Sequence, residues 1–149
     1  HLIPPLRSAD DRAGLLEALA AGAAQAICSD HQPQDAAAKD APFSASEPGM
    51  IGLQTLLPLC LKLVEDEKVG LAEVIGLLTQ GPAEVLGLPQ GRLSVGSEAD
   101  ICIFDLNRQW RLDESSNRSR ASNTPYMNET LRGQVTHTLL AGRLVFQAD

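Results

Sequence analysis

A short apolar run, Gln25-Ala26-Ile27-Cys28, passes straight into Ser29-Asp30-His31-Gln32-Pro33-Gln34. A run of this kind, without polar alternation, reads as a strand buried on both faces. Upstream, Ser8 precedes Asp10 and Asp11, a cap followed by negative charge in a first helical turn. Leu15, Leu16 and Leu19 then stripe a helix that Gly22 ends. A helix feeding a buried strand is half of a βαβ repeat, so the expected class is α/β with a parallel sheet. Chemistry in α/β barrels collects at the carboxyl ends of the strands, where Asp30 and His31 stand. Four residues after Asp30, where a reactive site would offer a second imidazole, stands Gln34.

The rest of the chain divides by pattern. Pro4-Pro5 forces an extended connection. Residues 31–49 are rich in Ala, Pro, Ser and Asp and read as a long loop, of the kind that is functional or mobile. Ile51 to Val64 is apolar nearly all round, as in a helix packed on several sides. Leu71, Val74, Ile75 and Leu78 form an i, i+3, i+4, i+7 stripe, and a short helix from Pro82 to Leu86 ends at Gly87. Beyond residue 88 the character changes. Gly91 to Gly96 is rich in turn residues, Ala99–Phe104 and Gln109–Leu112 read as strands, and Gln134–Leu140 with Arg143–Gln147 reads as a hairpin about Ala141-Gly142. Two units are expected, residues 1–87 and 88–149.

Composition limits the function. The 149 residues, 44% hydrophobic, suffice for one good core or two small ones. The chain starts at His1 without a methionine, in what reads as the tail of a strand, so a C-terminal fragment of a longer protein is expected. A net charge of −7 and a pI near 4.9 argue against a nucleic-acid partner, which needs a basic face. No apolar run approaches the length of a membrane span. Cys28, Cys60 and Cys102 lie in apolar runs without paired spacing and read as buried thiols of a reducing cytoplasm. His31 reads as a residue that orients its loop, His137 as an ordinary hairpin side chain, and Trp110 as core.

The order of these motifs resembles the C-terminal third of a dihydroorotase, a cyclic amidohydrolase related to hydantoinases and allantoinases. The resemblance rests on Pro4-Pro5-Leu6-Arg7, the capped helix, Ser29-Asp30-His31-x-Pro33, and Gly49-x-x-Gly52-Leu53-x-Thr55. It continues through Gly91-Arg92-Leu93-x-x-Gly96-x-x-Ala99-Asp100, Asn123-Thr124-Pro125-Tyr126 and the hairpin, and so covers essentially the whole chain. It implies the last part of a (β/α)8 barrel of the amidohydrolase type over residues 1–87. Residues 88–149 would be the C-terminal part of a small β-sandwich.

Family positions transfer one at a time. The family's catalytic aspartate, which touches the metal site and shuttles a proton to the leaving amide nitrogen, matches Asp30. Its substrate-binding histidine matches Gln34, and its substrate-binding asparagine matches Ile3. Its Phe-Gly pair, set against the substrate ring, becomes Pro48-Gly49. Ile3, Gln34 and Pro48 thus depart together, while Gly49 agrees.

These departures lead to the expectation of a non-catalytic dihydroorotase-like protein. The resemblance implies a use for such chains: a homo-oligomeric structural partner of aspartate transcarbamoylase catalytic chains, with no metal needed. The alternative is an active zinc-dependent dihydroorotase or related cyclic amidohydrolase, in which Asp30 would help hold zinc.

Overall fold

The computed structural model describes residues 1–66 and 68–148. Helix α1, Ala9–Ala20, starts as its sequence dictates. The Ser8 hydroxyl accepts the Asp11 N–H at 3.2 Å, and the Asp11 carboxylate accepts the Ser8 N–H at 3.1 Å. A reciprocal cap of this kind stabilises a helix start by about 1 kcal/mol. Leu16 and Leu19 are half-buried and Leu15 faces outward, so the apolar stripe is narrower than three leucines suggest.

Residues 25–29 form no ladder among the described residues, which corrects the strand expected there. A strand of a parallel sheet needs at least one hydrogen-bonded neighbour. Here Ile27 instead donates its N–H to the Leu77 carbonyl at 2.9 Å, and the one parallel bridge nearby joins His31 to Met50. Without flanking strands Cys28 is exposed, and Cys102 is exposed on the sheet; of the three thiols expected to be buried, Cys60 alone is.

The long loop 31–49 contains structure of its own. Helix α2, Ala36–Lys39, begins where Asp35 accepts the Ala38 N–H at 2.7 Å, and a single 3₁₀ turn spans Phe43–Ala45. Helix α3, Leu56–Glu65, starts five residues later than the apolar run does, because residues 51–55 form a turn. Pro58 falls in the first turn of α3, where no intrahelical donor is needed. Helices α4, Leu71–Leu78, and α5, Gln80–Leu86, follow. The core gathers Cys60, Val69 and Val74, with Leu19, Ile27, Leu56 and Leu78 packed against it.

Strands β1, Ile101–Arg111, β2, Thr130–Leu140, and β3, Arg143–Gln147, form an antiparallel sheet in that order. Two separate strands were expected where β1 runs unbroken. The Asp105 carboxylate accepts the N–H groups of Asn107 (2.8 Å) and Arg108 (3.3 Å). That local turn makes a bulge between the pairs Asp105↔Gln134 and Gln109↔Arg132 without ending the strand. Ala141 and Gly142 both have positive φ, 49° and 76°, as a tight hairpin demands.

Helix α3 packs on β2. Gly133, at φ 90°, leaves room for Leu61, whose Cδ1 would lie 2.3 Å from any added Cβ. The Trp110 indole N–H donates to the Gly133 carbonyl at 3.0 Å. Arg132 bridges the same two elements, pairing with Glu65 at 2.8 Å.

Candidate functional site

Asp30 has a φ of 43°, left-handed for a residue with a side chain. The chain turns there and then runs beside residues 49–52. Gln32 donates its N–H to the Met50 carbonyl at 2.8 Å. The His31 Nδ1 accepts the N–H of Gly52 at 3.0 Å and of Leu53 at 3.4 Å, which puts the ring proton on Nε2. His31 therefore orients the two segments, as its sequence position suggests.

The polar groups of this region bond to one another. The Gln32 side-chain amide donates to the Asp30 carboxylate at 2.8 Å. Gln34 donates its side-chain amide to the Pro48 carbonyl at 3.0 Å. Gly49 is buried at φ 117°, and a Cβ there would sit 2.5 Å from the Gln32 Cβ, so only glycine fits. Asp30, Gln34, Pro48 and Gly49 are thus brought into one neighbourhood. Ile3 is not bonded into it. It lies 62% exposed, in a cleft of about 820 Å³ that it shares with Leu6, Phe43, Gly49, Met50 and Tyr126.

That cleft is apolar in character. Lys39 is its lysine, and the Lys39 ammonium already donates to the Glu47 carbonyl. The His1 Nδ1 lies 2.9 Å from the Ser46 carbonyl, with its ring 4.6 Å from that of Phe43. Asp30 does not line the cleft. Among the described residues no three of His, Cys, Asp or Glu converge as a metal would require.

Two side chains from outside the motif complete the arrangement. The Asn123 side-chain amide donates to the carbonyls of Gln32 and Gly49, both at 3.1 Å, and its oxygen accepts the Gln34 N–H at 3.1 Å. Gln54 binds the same loop further back, donating to the Ser116 carbonyl at 3.0 Å and accepting the Arg118 N–H at 2.6 Å. Within the loop, Asp113 accepts from the Ser115 hydroxyl at 2.7 Å and from the Ser116 N–H at 3.0 Å. These donors, the Ser115 hydroxyl first, hold the Asp113 carboxyl below its ordinary range. Asn117 adds bonds to Ala121 and Ser119.

Sequence reasoning missed Gln32, Asn123 and Gln54. Asn123 was visible only as a member of Asn123-Thr124-Pro125-Tyr126, and its partners lie up to 91 residues away. No local pattern reports a bond of that span.

Residues 3–145 match the model of the amidohydrolase family. The chain is 41% identical over 146 residues to a dihydroorotase of Anaeromyxobacter dehalogenans, covering 98% of this chain and 34% of that protein. It is 44% identical over 147 residues to a dihydroorotase-like protein of Pseudomonas aeruginosa, covering 99% of this chain and again 34% of the relative. The chain thus spans about a third of the length of the curated relatives it matches. It superposes on an L-hydantoinase (dihydropyrimidinase) of Arthrobacter aurescens with a TM-score of 0.89 at 30% identity, over 98% of this chain and 34% of that one. A dihydropyrimidinase of Brevibacillus agri, 24% identical, superposes with a TM-score of 0.90 over 98% of this chain and 33% of that one. The fold class expected from the sequence therefore holds: α/β, the end of an amidohydrolase barrel followed by sheet. The chain belongs to the amidohydrolase family.

Proposed function

We propose that the whole protein is a dihydroorotase-like member of pyrimidine biosynthesis that has lost catalysis. In this reading it works in the cytoplasm as a homo-oligomeric structural partner for aspartate transcarbamoylase catalytic chains. Residues 1–87 would be its barrel end and residues 88–149 its sandwich share. One observation carries the loss of catalysis: the side chains at the inherited ligand positions are apolar or already bonded within the protein. Ile3 offers a ligand no hydrogen bond, Gln34 is committed to the Pro48 carbonyl, and Asp30 is held by Gln32. A missing partner for a bound polar group costs about 1–3 kcal/mol, and about 1.4 kcal/mol is tenfold in affinity. The likeness to a relative called dihydroorotase-like protein also supports this reading.

The test uses the full-length protein. Incubated with carbamoyl aspartate and added zinc, it should give no measurable cyclisation, and it should co-purify with aspartate transcarbamoylase. Sustained turnover would end the proposal.

A second reading, an active zinc-dependent dihydroorotase or related cyclic amidohydrolase, draws on Asp30. A carboxylate in a left-handed turn where chemistry is expected is retained at some conformational cost. The 41% identity to a protein named dihydroorotase favours it as well. A His-x-His motif upstream of His1 in the full-length sequence would decide for the enzyme, and its absence for the structural partner.

A further inference from the structure

We infer that Asn123 is a positioning residue that makes the loop 113–128 part of the candidate site and holds the Gln34 and Gly49 segments in register. The inference rests on the site assignment above but not on whether the site is catalytic.

Segments 31–34 and 48–52 meet along one seam, and that seam has few bonds of its own. Gln32 donates its N–H to the Met50 carbonyl at 2.8 Å, His31 accepts from Gly52 at 3.0 Å, and the Gln34 side-chain amide donates to the Pro48 carbonyl at 3.0 Å. Three further groups there, the Gln32 carbonyl, the Gly49 carbonyl and the Gln34 N–H, have no partner across the seam. Asn123 supplies all three. Its Nδ2 carries two hydrogens and donates one to each carbonyl at 3.1 Å; its Oδ1 accepts the Gln34 N–H at 3.1 Å. Its own backbone carbonyl accepts the Ile51 N–H at 3.1 Å. A primary amide is the side chain that can donate twice and accept from one short stem.

Asn123 reaches the seam because its loop is anchored at a second place. Gln54 lies just beyond segment 48–52 and holds Ser116 and Arg118 with both ends of its amide. The neighbours Thr124, Pro125 and Tyr126 then line the same cleft as Ile3 and Phe43. A loop of the sheet-bearing half thereby sets the geometry of residues contributed by the helical half.

The test is amide hydrogen exchange on the full-length protein, read by mass spectrometry on peptides covering 31–36, 47–52 and, as control, 101–111. Asn123→Ala should speed exchange in both site peptides about tenfold or more, since it removes three bonds at once. The control in β1 should not change. Asn123→Asp keeps an oxygen for the Gln34 N–H but sets oxygen against the Gln32 and Gly49 carbonyls. It should loosen 47–52 while leaving the Gln34 amide protected. Unchanged exchange in the site peptides, or an equal rise in all three, would overturn the inference. Because no activity is read, an inactive protein and a failed inference give different results.

Discussion

Two ionisable side chains report on the fold through their protonation. Asp113 is held below its ordinary range by Ser115 and Ser116, so its contribution to stability is complete above the unfolded carboxylate value. The contribution is lost as pH falls through the lower folded value. In acid titration followed by circular dichroism, Asp113→Asn should therefore flatten the loss of stability below about pH 4. Cys60 behaves in the opposite sense. Burial raises its thiol value, so its contribution is present below the unfolded value and declines as pH rises toward the folded one. Cys60 should resist iodoacetamide in the native protein and react only on unfolding, which peptide mass spectrometry would show. Rapid native alkylation at Cys60 would contradict the core described here.

At the level of elements, α3 fits closely against β2. Gly133→Val would drive a branched side chain into Leu61 at a backbone angle that such residues avoid. A loss of about 2 kcal/mol or more is expected in urea denaturation, and Leu61→Ala in the same background should recover part of it. Local chemistry made some elements legible in the sequence. Ser8 with Asp11 marked the start of α1, and Ala141-Gly142 marked the hairpin, because each signal is complete within a few residues. The start of α3 was misplaced because apolar character continues through a turn whose bonds, such as Thr55 to the Gly52 carbonyl, leave no mark in hydropathy. Strand β1 was split in two because the turn at Asp105 resembles a strand end. Residues 25–29 were given a ladder that depends on neighbours no local pattern supplies.

Across the whole molecule, apolar surface is the dominant feature. Leu6 is 85% exposed, Leu93 84% and Phe43 74%, far more than isolated surface leucines require. Prepared alone, the 149-residue segment should bind anilinonaphthalene sulfonate strongly and sediment as polydisperse aggregates, while the full-length protein should bind little dye and sediment as one discrete species. A monomeric, dye-free segment would show that this surface needs no cover. The candidate site could be read from the sequence only as a set of positions, of which Asp30, Gln34, Pro48 and Gly49 stand together and Ile3 stands apart. It was not legible as a network: the bonds that tie it together come from Gln32, Gln54 and Asn123, whose partners are set by tertiary folding. The loop 113–128 is braced along its length by Asp113, Asn117, Gln54 and Asn123. Anyone inserting an epitope or fluorophore there would pull on Gln34 and Gly49 from a distance.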